Sequence, residues 1–364
     1  MNTNKYPQNR IQSIDALRAF TLIGILFIHA SQLFNYYNSY NDVSFTGVEH
    51  NAIFMFIDKC LTYRFRIIFS ILFGISFYLL SNNSYYTKEK FAWRCMILIV
   101  IGIINKIFYT TDILFMYGIC GIMMLPFLKL KRKNLFCVAI FLWSIRYFFY
   151  YSNIQFIELR DYGIRYLIQD NILNVIRYPL YSAIFDYITI IFPWGICETL
   201  SYFLIGYLIA QTRLIYQFDD FKIGNKCGMI LILITIIFGG IFHFTYDIFT
   251  KSIFYLLSAV TYSYMFVCIY NCIKSFFSKI SMLEKMGRLG LTNYTLMDLL
   301  GVLFVSTFVY KYQLTFNDVL LFSFTISVFL LILSNIWLKY SKNGPLETVW
   351  RKLTNLCYQS WSQL

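Results

Sequence analysis

The sequence predicts an all-α, polytopic integral membrane protein, and three observations predict it. Apolar residues make up 59% of the 364 residues and charged residues only 13%, with a mean hydropathy of +0.59. A soluble globular chain carries about 25% charged residues. The apolar residues are gathered into long runs separated by short polar turns, and a run of roughly 20 is what crosses a bilayer as a helix. The Lys and Arg behind the net charge of +13 sit in those turns. That placement is the positive-inside pattern of membrane proteins and excludes a nucleic-acid-binding surface.

Taken in order, the runs place ten spans at about 15–35, 54–80, 91–108, 112–128, 134–151, 186–210, 227–246, 252–273, 290–310 and 317–340. They form one transmembrane unit over residues 1–364, with no separate soluble domain. No cleavable signal is read at the N-terminus, because the first run is too long and lacks a small-residue cleavage site. With that terminus in the cytoplasm, the inner loops collect Lys88, Lys90 and Arg94; Lys129, Lys131, Arg132 and Lys133; Arg213, Lys222 and Lys226; and Lys274, Lys279, Lys285 and Arg288. The 36–52 loop has no Lys or Arg. Alternate loops agree, so both termini are expected inside. The turn near Thr110 and Thr111 is so short that the helices on either side of it should share an interface. The longest outer segment, 152–185, mixes Arg160, Asp161, Arg165, Asp170 and Arg177 with Tyr, Leu and Ile, and reads as an amphipathic helix on the outer surface or a lid.

The first run, SIDALRAFTLIGILFIHAS from Ser13 to Ser31, carries Asp15, Arg18 and His29. Polar groups at membrane depth are costly and mark function. Asp15 and Arg18 are three apart and can pair on one helix face. Arg18 and His29 share a face, with His29 about 16 Å higher on the helix axis, from a rise of 1.5 Å per residue. Arg18 alone could be an interfacial anchor; a titratable imidazole near the bilayer middle is the stronger candidate. Further polar residues fall in or beside spans: Asp58, Lys59, Arg64, Arg66, Asn105, Lys106, Asp112, Arg146, Asp186, Glu198, His243, Asp247, Asn293 and Asp298. Several of them suggest an outer-facing polar chamber. The remaining histidine, His50, precedes the second run.

The nine cysteines are scattered singly, so neither a disulfide framework nor a metal site is read. No Gly-rich phosphate loop, GxSxG elbow or HExxH helix occurs. No internal repeat is evident, which argues against a transporter built from repeated halves.

Five stretches resemble, in order, the motifs of YeiB-like proteins, the domain-of-unknown-function 418 family. They are RIQSIDALRAFTLIGILFIH at 10–29, IIFSILFGISF at 67–77, TTDILFMYGICGIMMLPF at 110–127, MGRLGLTNYTL at 286–296 and GPLETVWRKLT at 344–354. Together they span nearly the whole chain. The family is grouped with transmembrane acyltransferases that move acetyl or other acyl groups from cytoplasmic acyl-CoA to sugars across the membrane. The spacing of Arg18 and His29 is also similar to the R-x10-H motif of a related acyltransferase branch, whose histidine is held essential. Family members usually carry Asn where this chain has His29, and many carry His shortly before the DIL motif, where this chain reads Ile104-Asn105-Lys106.

The resemblance implies an acyltransferase in a bacterial cytoplasmic membrane, with acetyl-CoA or another acyl-CoA as co-substrate, no metal, and an extracytoplasmic sugar, glycan or other acceptor. Arg18, Arg288 and Arg351 are expected to hold the CoA phosphates. His29 is expected to serve as base or acyl carrier, with His50 or Asp112 orienting the acceptor. Asp15, Asn105, Lys106, Asn293 and Tyr294 complete the expected site, the last two as oxyanion donors or helix-packing residues. The rival reading is a transporter or exporter of a small molecule, lipid or peptide; a third is a membrane protein with no cavity, in which His29 is packed dry. The oligomeric state, a homodimer included, stays open.

Overall fold

The computed structural model describes residues 11–40, 57–82, 87–109, 112–152, 192–212, 225–245, 248–276, 281–304 and 316–362. Every regular element among them is helical. They are α1 (Gln12–Tyr40), a π-helical turn (Ile57–Leu61), α2 (Arg64–Ser81), α3 (Lys88–Phe108) and α4 (Leu114–Met124), which runs on into a 3-10 turn (Leu125–Lys129). Then follow α5 (Arg132–Ser152), α6 (Phe192–Gln211), α7 (Asn225–Thr245), α8 (Ile248–Phe276), α9 (Ser281–Arg288), α10 (Gly290–Phe304), α11 (Phe316–Tyr340) and α12 (Pro345–Ser362).

Four helices among the described residues are long and apolar enough to cross a membrane: Gln12–Gln32, Arg64–Ser81, Phe249–Lys274 and Asn317–Tyr340. Leu114–Lys129 and Gly228–Ile241 are apolar but shorter. The first span is the most enclosed, with 78% of its apolar window buried. α1 is wrapped by α2, α8, α9, α10 and α11, so it forms the axis of the bundle. The amphipathic segment expected over 152–185 lies, but for Ser152, outside the described residues.

Between membrane helices the hydrophobic effect supplies little, and close backbone packing takes its place. The α2–α6 pair shows how. A side chain at Gly74 would collide with the Phe203 carbonyl, and one at Gly206 with the Ile71 carbonyl. The two glycines thus face each other's backbone reciprocally, and only a missing Cβ lets the helices come so near. The expected α3–α4 hairpin is present. Thr87 caps α3 by accepting the Lys90 N–H at 3.2 Å.

The two C-terminal motifs lock onto each other. Glu347, in the first turn of α12, accepts the N–H groups of Leu291 and Thr292 at 2.9 and 3.1 Å. Its other oxygen accepts the Thr292 hydroxyl at 2.5 Å. A carboxylate on the otherwise unsatisfied N–H groups at the start of α10 is favoured by both hydrogen bonding and the helix dipole. Trp350 donates its indole N–H to the Arg94 carbonyl at 2.8 Å, while the Arg94 guanidinium lies 3.8 Å over the indole ring. α12 therefore crosses the starts of α10 and α3.

Candidate functional site

α1 and α10 run side by side, and their polar residues meet in the interior. His29 Nδ1 lies 2.7 Å from Asp298 Oδ1. His29 is 7% exposed and Asp298 1%, so the pair is sealed from bulk water. Asn105, from α3, donates to Asp298 Oδ2 at 2.7 Å and to Asp112 Oδ1 at 2.9 Å. Asp112 also accepts the Phe115 N–H at 3.3 Å, which ties it to the start of α4. The His29 ring stacks on Tyr109, with centroids 4.2 Å apart, and Tyr109 donates to Gln32 at 2.5 Å. The Tyr294 ring stands edge-on to His29 at 5.8 Å. Its hydroxyl accepts the Ile113 N–H at 3.4 Å.

Chemically this is a histidine held by a carboxylate. An ionised Asp298 would accept from Nδ1–H, fix that tautomer and leave Nε2 as the basic nitrogen. The same carboxylate would stabilise an imidazolium formed at Nε2. Two acids and an imidazole buried together keep their places only because every oxygen named has a donor.

A cavity of about 270 Å³ lies beside this cluster and shares Tyr294 with it; His29, Asp298, Asn105 and Asp112 do not line it. It is lined by the basic residues Arg18, Arg94, Arg288 and Arg351 and by the apolar and aromatic residues Phe69, Phe73, Leu98, Tyr117 and Tyr294. Arg18 is held by Asp15 at 2.5 Å and by the Ser76 hydroxyl at 2.6 Å. Arg288 donates to the Lys342 carbonyl at 3.1 Å. Tyr294 joins the two: its ring lines the cavity and stands edge-on to His29.

The structure thus brings together His29, Asp112, Asn105 and Tyr294, with Lys106 buried near them and its Nζ 6.0 Å over the Phe115 ring. It gathers Arg18, Arg288 and Arg351 separately, around the cavity. Asp15 pairs with Arg18 there. Asn293 is committed to the Met286 carbonyl and the Ser334 hydroxyl, both at 2.9 Å, which is helix packing. His50, Asp186 and Asp247 lie outside the described residues, as do the side chains of Asp58, Lys59, Arg146 and His243. Two residues gain weight from the geometry. Asp298 was one intramembrane acid among several in the sequence; its spacing of one helical turn from Tyr294 was the available signal. Arg94 read as an inner-loop charge.

A buried imidazole–carboxylate pair beside an arginine-lined cavity invites comparison with known transferases. The family model described as heparan-alpha-glucosaminide N-acetyltransferase, catalytic, matches residues 10–239. The chain belongs to this family. A second model, a protein of unknown function (DUF418), matches residues 222–356, so the two together cover nearly all of this membrane acyltransferase-family chain. It is also similar to an uncharacterized 39.9 kDa protein in the amylase 3' region of Bacillus acidopullulyticus, with 28% identity over 95% of this chain and 94% of that protein. Uncharacterized protein YxaH of Bacillus subtilis (strain 168) is 24% identical over 96% and 95%. No solved structure matches. The family residues include α1 with His29 and the α3–α4 hairpin with Asn105 and Asp112, while Asp298 and Tyr294 fall in the DUF418 part. The cluster is built across both.

Proposed function

We propose that this chain is an acyl-CoA-dependent membrane acyltransferase. It carries an acetyl or other short acyl group from a cytoplasmic donor to a hydroxyl or amine of an extracytoplasmic glycan or other acceptor. The observation that supports this best is the arginine-lined cavity joined through Tyr294 to the His29–Asp298 pair. In this reading residues 1–364 form one unit of about ten spans in a bacterial cytoplasmic membrane, with both termini inside. The arginines of the cavity then face the cytoplasm.

The guanidinium groups of Arg18, Arg94, Arg288 and Arg351 hold the donor's phosphates, for which bidentate geometry suits arginine. The cavity falls just under the roughly 300–1,000 Å³ of ordinary small-molecule pockets. It suits an acyl-pantetheine arm and leaves the nucleotide outside on the arginines. Nε2 of His29 takes the proton of the acceptor as its oxygen or nitrogen bonds the thioester carbonyl carbon. Asp298 holds the imidazolium that results. The C–S bond then breaks, the sulfur receives the proton from Nε2, and CoA leaves as the thiol. A covalent variant uses the same atoms: Nε2 attacks the thioester first, releases CoA, and passes the acyl group on. In this reading Asp112 and Asn105 orient the acceptor from the other side of Asp298, and the Tyr294 hydroxyl donates to the carbonyl oxygen as charge develops there.

The test is acyl-CoA binding and CoA release by the purified protein in nanodiscs. Acetyl-CoA binding that weakens with salt, together with release of free CoA thiol, is expected. If neither acetyl-CoA nor longer acyl-CoAs bind or turn over, the enzyme reading fails and transport takes its place. Acyl-labelled protein formed without acceptor would select the covalent route.

A further inference from the structure

α12 has two faces. One meets the bundle: Glu347 on the start of α10, Trp350 on Arg94, and buried Thr354. The other turns away from it. Val349, Leu353 and Leu356 are 47%, 41% and 61% exposed, and at 100° per residue they fall within about 60° of one another. Lys352 flanks this apolar stripe and is exposed, as are Lys342 and Lys339 just before the helix. The only acid in α12, Glu347, is turned inward onto α10. An apolar stripe edged by cations and free of outward acids is the pattern of a helix lying in a membrane interface. The position agrees. α12 follows the membrane-length helix Asn317–Tyr340 after a turn of four residues, 341–344. It touches α10 and α3 at their first turns, with Lys90 of α3 lying 5.9 Å over the Tyr358 ring. It thus lies across helix ends, at the level where the bundle leaves the bilayer.

We propose that α12 is a membrane-surface helix whose Val349–Leu353–Leu356 stripe docks among anionic lipid headgroups. The inference does not depend on the acyl-transfer reading. Because the opposite face of α12 supplies Glu347, Trp350 and Arg351 to the cavity lining, lipid docking also fixes that side of the cavity.

The test is hydrogen–deuterium exchange of the full chain in nanodiscs of phosphatidylcholine alone and of phosphatidylcholine with phosphatidylglycerol. With Lys342 and Lys352 at an anionic surface, exchange across 346–362 should be roughly tenfold or more slower with phosphatidylglycerol. K342E/K352E should erase that difference. L353E/L356E should speed exchange in both lipids while the amides of α10 stay protected, which shows the fold intact. Equal exchange of the wild type in the two lipids would overturn the proposal. So would protection in detergent that grows with protein concentration, since a second copy would then be covering the stripe.

Discussion

His29 is costly inside an apolar helix, and its polar nitrogen is met by Asp298 at 2.7 Å while its ring packs on Tyr109. If that partner fixes the basic nitrogen, Asp298→Asn should cut turnover by roughly 10²–10⁴-fold, the range for losing general-base function, while acyl-CoA binding is unchanged. Equal loss of binding and turnover would make Asp298 a folding residue instead. Asn105 grips the other oxygen of the same carboxylate, also at 2.7 Å. An imidazole could therefore serve Asp298 from either side. We propose that the two positions can exchange roles, the imidazole standing at 29 or at 105. The prediction is that H29N abolishes CoA release and that H29N/N105H restores part of it. No recovery in a correctly folded double variant would contradict the exchange. Of these residues, His29 was legible in the sequence because a histidine inside an apolar run is conspicuous. Asp298 was not singled out, because its partner lies 269 residues away and helix pairing is not written in periodicity.

At the scale of elements, the lock between α10 and α12 holds Tyr294 and the cavity arginines in register. Glu347→Ala removes the acceptor for two partly buried N–H groups and should cost about 1–3 kcal/mol. A lower midpoint of thermal unfolding in detergent would register it, and Glu347→Gln should recover part of the loss. Gly206→Leu should be worse, since its side chain meets the Ile71 backbone and overpacking of this kind costs about 1–3 kcal/mol or more. The apolar runs announced α1, α2, α8 and α11 as membrane-length helices, because bilayer thickness sets run length directly. The C-terminal motif was readable as letters only. That GPLETVWR caps one helix with Glu347 and clasps another with Trp350 depends on contacts with residues 55 and 256 positions away.

For the molecule as a whole, the net charge of +13 acquires a second meaning. Four arginines of the set converge on one cavity. Neutralising Arg94 and Arg351 to Gln should raise the KM for acyl-CoA at least tenfold with kcat little changed, since each charge-assisted bond contributes about 1.5–3 kcal/mol. Added salt should raise the wild-type KM and affect the variant less. A fall in kcat with constant KM would move these arginines out of donor binding. The measurement that bears most directly on the central claim is acetyl-CoA turnover by the purified protein, wild type against His29→Ala. Turnover in the wild type that is lost in the variant, with acetyl-CoA still bound, is the predicted result. Undiminished turnover by His29→Ala would contradict the account and move the base elsewhere in the chain.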